Sequence, residues 1–217
     1  LIDIENISYE GWYNTELIGN NNDNIIIGGD GNDHIKTNGG NDYIELSKGF
    51  TDEYVDAGDG DDIIVSGEGR SYVIGGEGSD TFVYLDKVDA TKDNPNPNNT
   101  YFGERISDFS DIDDQIIFHG LSGISYDGSL YAENINDDDA WSYIDEIRND
   151  PSADNQIIYF TDKSQDGHLV INGEGDGLDL DGFHLVLFGD ESPWGDANST
   201  GSSAPNVNSI QFDGSHI

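Results

Sequence analysis

The sequence contains no cysteine and no methionine, only 5 prolines, and 8 basic residues against 45 acidic ones, a formal net charge of −37 over 217 residues. Lack of cysteine excludes a disulfide framework, a thiolate nucleophile and a cysteine-ligated zinc site. It leaves the redox compartment undetermined, although it suits a chain that crosses membranes unfolded. So few cations exclude nucleic-acid binding, which needs a basic face, and argue against docking to anionic membranes. No apolar run approaches the roughly 20 residues of a membrane span, so insertion into a membrane is not expected. The first residues lack the charged-then-apolar form of a signal peptide, and a chain starting without Met is expected to be a fragment. Also missing are HExxH, GxSxG and GxxxxGK[ST], and excess carboxylate is the composition of metal ligation, so the chain is expected not to be an enzyme.

What the chain has in quantity is glycine, 28 residues of it, and a repeat. From Gly19 it reads GNNNDNIII, GGDGNDHIK and TNGGNDYIE; Leu46 and Ser47 intervene, and KGFTDEYVD, AGDGDDIIV, SGEGRSYVI and GGEGSDTFV follow. Numbering each unit from one to nine, the eighth column is always apolar: Ile26, Ile35, Ile44, Val55, Ile64, Val73 and Phe82. Column six holds Asn24, Asp33, Asp42, Glu53, Asp62, Ser71 and Asp80. A degraded unit, EGWYNTELI at 10–18, precedes them with Leu17 as its anchor.

One apolar anchor per nine residues leaves no stripe at helical spacing. It suits a coil of three-residue strands, with column eight inside and columns seven and nine outside. Gly-rich hexapeptides turn the corners. Two units make one turn, so alternate units stack about 4.8 Å apart as parallel strands. The anchors alone do not hold such a coil. Each contributes roughly 1.5–3 kcal/mol when buried, while fixing a backbone costs on the order of 1–2 kcal/mol per residue. Stacked column-six carboxylates also repel. A cation between the loops answers both problems, and a flexible loop of carboxylates and carbonyls suits calcium better than magnesium.

The stretch resembles the RTX parallel β-roll, whose calcium-binding repeat is Gly-Gly-x-Gly-x-Asp-x-apolar-x. The resemblance implies several calcium ions held between loops of alternate units by the column-six residues Asn24, Asp33, Asp42, Glu53, Asp62 and Asp80. The accompanying loop positions are Gly29, Gly31, Asn38, Gly40, Gly58, Gly60, Gly76 and Gly78. Units starting at Gly19, Thr37, Ala57 and Gly75 form the stack expected to be competent throughout. The other, with Thr15, Asp33, Glu53 and Ser71 and the Leu46-Ser47 insertion, is expected to hold fewer or weaker ions. FGERISDFSDIDDQIIFHG resembles the segment that closes such rolls, with Ile106, Asp108, Phe109, Asp114 and Ile116 matching and Glu104 replacing an Asp. Glu104 and Asp108 are therefore expected to share a calcium at the roll's end.

The expected architecture is all-β: an entry cap and degenerate repeat over 1–18, a parallel β-roll over 19–83, and a C-terminal cap over 84–217 resembling an antiparallel β-sandwich with one short helix. Trp12 and Tyr13 are read as aromatics covering the open end. YLDKVDATKDNPNPNNT at 84–100 is read as an irregular loop. The helix is expected at 137–148, with acidic residues at its N-terminal end. Strands are expected at 156–161, 168–172, 183–188 and 209–212. Partial DxDxDG loops begin at Asp162 and Asn172, both without the Glu of position twelve. An outward face bearing Ile25, Ile27, Tyr43, Ile63, Val65, Thr81 and Val83 is too apolar for water, and the C-terminal half is expected to cover it.

By resemblance, the chain is expected to be a monomeric, calcium-dependent folding module of a large secreted RTX adhesin or exoprotein. The type I secretion machinery would export it unfolded to the cell surface or medium. Two alternatives stand beside this: a calcium-dependent module binding a cell-surface sugar or peptide, and the non-catalytic tail of a secreted protease, lipase or epimerase.

Overall fold

The computed structural model describes residues 5–46, 51–67, 69, 71–85, 104–110, 112–119, 125–126, 130–135, 140–148, 156–162, 167–172, 184–187 and 208–213. Each repeat unit yields one short strand around its column-eight anchor. These are β1 (Asn6–Ser8), β2 (Glu16–Ile18), β3 (Ile25–Ile27), β4 (His34–Lys36), β5 (Tyr43–Glu45), β6 (Tyr54–Asp59), β7 (Ile63–Val65), β8 (Tyr72–Glu77) and β9 (Thr81–Tyr84). They alternate between two sheets. The first sheet runs β1-β3-β5-β7-β9, and the second β2-β4-β6-β8, all parallel. Leu17, Ile26, Ile35, Ile44, Val55, Ile64, Val73 and Phe82 are buried between them, each at most 2% exposed. The chain is thus a two-sheet parallel roll with a thin apolar core, as the period requires.

Two features of the roll escape the nine-residue register. Ile7 is buried and pairs with Ile26, so the coil already includes β1. From Ile7 to Leu17 the spacing is ten, which hides this anchor from a period of nine. Leu46, read as part of an interruption, is 2% exposed and belongs to the core. Side chains alternate along the strand, so the residue two beyond anchor Ile44 points inward again. Tyr84 takes the same place two residues beyond Phe82, and its ring stacks on Phe118 at 5.4 Å.

Beyond the repeats, β10 (Glu104–Ile106) joins β8 and β11 (Gln115–His119) joins β9, both parallel, so each sheet gains one more roll strand. The remaining elements are β12 (Leu130–Ile135), α1 (Ala140–Arg148), β13 (Gln156–Asp162), β14 (Gly167–Asn172), β15 (His184–Leu187) and β16 (Ile210–Asp213). β15 adds to β10 and β16 to β11, again parallel. Among the described residues antiparallel pairing is confined to β13-β14-β15, and β12 runs parallel to β13 at the edge. One core runs from Ile7 through Ile106 and Ile116 to Tyr159, Leu169 and Leu187. A second cluster seats Ile144 and Ile147 of α1 on Ile158, Phe160 and Val170.

Several expectations are corrected here. The described residues of the C-terminal half extend the two sheets edge to edge; on the apolar outer face Ile25 and Ile63 stay 49% and 43% exposed, while Val65 is 7% exposed. The last roll strand presents a row of unpaired N–H and C=O groups, and an added strand satisfies them while a covering layer would not. Trp12 and Tyr13 cover nothing: each is 82% exposed. The helix starts at Ala140 with no acidic residue in its first turn. The loop at 86–100, both DxDxDG loops over most of their length, and 191–207 lie outside the described residues.

Candidate metal centre

Corner loops leaving the second sheet for the first stack along one edge of the roll, and those returning stack along the other. On the first edge lie Asn24, Asp42, Asp62 and Asp80, each at most 2% exposed. They form a ladder of one kind of bond. The amide N–H of Asn24 donates to Asp42 Oδ1 at 2.6 Å, that of Asp42 to Asp62 Oδ1 at 2.8 Å, and that of Asp62 to Asp80 Oδ1 at 3.0 Å. Asp114 extends the series, its Oδ1 accepting from the Asp80 amide at 2.9 Å and its Oδ2 from the Ser110 amide at 2.8 Å. Asn24 ends it, its Oδ1 accepting from the Asn20 amide of its own loop at 3.0 Å.

The second oxygen of each rung is the telling one. Oδ2 of Asp42, Asp62 and Asp80 is buried and accepts no hydrogen bond, and so is Oδ2 of Asp33 on the other edge. A buried carboxylate oxygen with no partner carries a full desolvation penalty. On the first edge the loop backbones approach one another closely. Asn38, Gly40, Gly58, Gly60, Gly76 and Gly78 all have positive φ, and all belong to this first edge. At Gly58 (φ +101°) a Cβ would lie 2.1 Å from the carbonyl oxygen of Asn38, and at Gly76 (φ +106°) one would lie 1.8 Å from that of Gly58. Glycine is required there because the left-handed turn brings each carbonyl against the next loop.

The second edge is built differently. Asp33 accepts the Thr15 amide and hydroxyl on Oδ1, both at 2.8 Å. The loop carrying Gly29 and Gly31 stacks on 11–14, where a Cβ on either glycine would lie 2.5 Å from a carbonyl oxygen of Gly11 or Tyr13. Glu53 accepts hydroxyls of Thr51 at 2.5 Å and Ser71 at 2.6 Å. Glu104, expected to join Asp108, instead lies at the next level of this edge, fully buried and accepting the Ser66 hydroxyl at 2.5 Å. Asp108 accepts the amides of Gly75 and Gly76 at 3.0 and 2.8 Å on the first edge. The pair shares no hydrogen-bond partner among these, because Glu104 opens β10 and Asp108 lies beyond its other end.

These residues fit a hard divalent cation. The free oxygens are carboxylate, backbone carbonyls of the stacked loops lie on the same edge, and calcium takes six to eight such oxygens in flexible geometry. Among the described residues no three carboxylates or imidazoles converge as a metal-binding group. An ion held here would therefore draw on loop carbonyls as well as on Asp42, Asp62 or Asp80, and would supply positive charge where the ladder has none. Asp114 was missed as a rung because its loop carries no repeat glycine. The signal was present in its place two residues before Ile116, which pairs with the anchor Phe82.

A two-sheet parallel roll with under-bonded carboxylates along its glycine corners defines a calcium-binding β-roll. Residues 18–50 and 52–84 match the family model HemolysinCabind, the RTX calcium-binding nonapeptide repeat (4 copies). RTX repeats are a calcium-binding structural module of secreted proteins. The solution structure of the AlgE6R3 subunit from the Azotobacter vinelandii mannuronan C5-epimerase is similar at 22% identity, with a TM-score of 0.43, over 91% of this chain and 87% of that one. No curated protein matches the chain. Among the described residues no helix is long and apolar enough to cross a membrane.

Burial pushes the carboxyls of the edges up: Asp62 to about 6, Asp80 to about 7, Asp114 to about 6 and Glu104 to about 8, with like-charged neighbours adding to the shift. Without metal, the folded chain binds these protons more tightly than the unfolded one. Their contribution to stability is therefore fully present below about pH 4, the ordinary carboxylate range, and is lost as pH rises through 6 to 8. In calcium-free buffer, strand dichroism is expected to increase from pH 8 to pH 4. A signal that falls on acidification would contradict this sign.

Proposed function

We propose that this chain is a calcium-dependent folding module of a large secreted bacterial RTX adhesin or exoprotein, non-enzymatic and monomeric. It is held open in the cytosol and folds after export by the type I secretion machinery. The observation that carries the reading is the row of buried Oδ2 atoms of Asp42, Asp62 and Asp80 that accept no hydrogen bond. Three carboxylates in one file, in a chain of charge −37, favour an open chain wherever calcium is scarce. Extracellular calcium modules bind at roughly 10⁻⁴ to 10⁻³ M. Cytosolic calcium leaves such sites empty, and millimolar external calcium fills them. Folding then rests on binding free energy and opposes return through the export channel. The test is limited proteolysis of the full chain. Rapid cleavage at sub-micromolar calcium and a protected fragment spanning the roll at millimolar calcium are expected; equal protection in both would refute the reading.

A second reading, recognition of a cell-surface sugar, rests on Trp12 and Tyr13. Both are 82% exposed, on the loop beneath the one that ends in Asp33, whose Oδ2 accepts no hydrogen bond. Calcium-dependent glycan capture by the intact chain, lost in Trp12→Ala, is the expected result on this reading. A glycan array blank with and without calcium would remove it.

A further inference from the structure

Resting on the calcium reading above, the geometry points to a roll whose second edge, from Glu53 to Glu104, is closed by hydroxyl–carboxylate hydrogen bonds where the first edge offers metal sites. On the first edge every rung from Asp42 to Asp80 receives one amide on Oδ1 and keeps Oδ2 free. At the corresponding level of the second edge no free oxygen of that kind occurs among the described residues. Glu53 has Thr51 and Ser71 hydroxyls on its two oxygens, Oε1 and Oε2. Ser71, standing where a ladder Asp would be, is 2% exposed and donates back toward the preceding turn. Glu104 receives the Ser66 hydroxyl.

Chain length explains how this works. A glutamate is one methylene longer than the aspartate of the repeat, and reaches hydroxyls on neighbouring positions that a shorter carboxylate at the loop would miss. The strands continue undisturbed at this level. Tyr72 N–H donates to Glu53 O and Arg105 N–H to Ser71 O, both at 2.9 Å, so the turns stay stacked with the loops bridged by side chains. Glu53 and Glu104 thus take structural roles here, and Asp33 is the second-edge carboxylate with a free oxygen.

The inference is tested with calcium itself, by flow dialysis of the full-length chain and its variants. Glu53→Gln and Ser71→Ala are expected to bind as many ions as the parent chain, with mean affinity within twofold. Asp62→Asn is expected to lose at least one ion. Ser71→Ala in saturating calcium is expected to unfold at lower urea although its ion count is unchanged. Loss of an ion in Ser71→Ala, or in a folded Glu53→Gln, would overturn the inference and leave the calcium reading standing. Failure of the parent chain to take up any calcium would instead overturn both.

Discussion

In calcium-free solution at neutral pH the full chain is expected to show little strand dichroism, to gain it cooperatively on titration with calcium, and to gain none with magnesium. The size of the effect follows from what the repeats bury. Each unit offers one anchor worth roughly 1.5–3 kcal/mol, against on the order of 1–2 kcal/mol for every residue ordered. The inner row formed by Leu46, Tyr84 and Phe118 adds apolar contact. It does so mostly where the roll meets β10 and β11, and the repeats before Leu46 have no such help. The free oxygens of Asp42, Asp62 and Asp80 add a penalty that only a cation at hard-oxygen distance relieves. Magnesium demands a smaller, near-octahedral site and dehydrates reluctantly, which loops of stacked carbonyls do not meet. A residual signal from β13 to β15, with the Ile144–Phe160 cluster behind them, is compatible with this expectation. Full strand content in the presence of chelator is not.

The second large effect is expected at Asp62. Its side chain is fully buried, its Oδ1 accepts the Asp42 amide, and its own amide donates to Asp80. Asp62→Ala removes a rung from the middle of the ladder, leaves the Asp42 amide without its acceptor, and takes a ligand from the loops on either side. Hydrogen bonds to charged groups are worth about 1.5–3 kcal/mol, and 1.4 kcal/mol is about tenfold in an equilibrium. The calcium midpoint of folding is therefore expected to rise about tenfold or more. Ser71→Ala, at the equivalent column of the second edge, is expected to move that midpoint by less than about threefold. Equal shifts in the two variants would show that the edges do not differ as ligands.

The repeat region was legible because its period encodes strand, corner and anchor together. One residue in nine had to face inward, and Ile26, Ile35 and Ile44 do so with no exposed surface. Where the spacing departs from nine, legibility fails: Ile7 was hidden by an extra residue and Leu46 by the insertion that carries it. The acid ladder could be read in column six, but not the division between amide-bonded and free oxygens, which depends on how adjacent turns sit. Glu104 and Asp108 matched a closing segment side by side and yet bond to different edges. Past residue 120 the strands at 156–162, 167–172, 184–187 and 210–213 were visible as apolar runs. Their partners were not, because parallel addition of β15 to β10 and β16 to β11 is a choice between distant edges that local pattern does not record. β12 was missed altogether; LYAENI has no clean alternation.

The amide-to-carboxylate ladder on the first edge also determines how the roll answers to force. From β2 to β9, successive strands in one sheet are 18 residues apart, or 20 across the insertion. A pull applied to one end along the coil axis loads the outermost turn alone, and every turn behind it stays shielded until that one yields. Each yielding turn releases a length of chain on the order of 60 Å at about 3.3–3.6 Å per residue. A roll built this way is expected to lengthen under load in steps of that size.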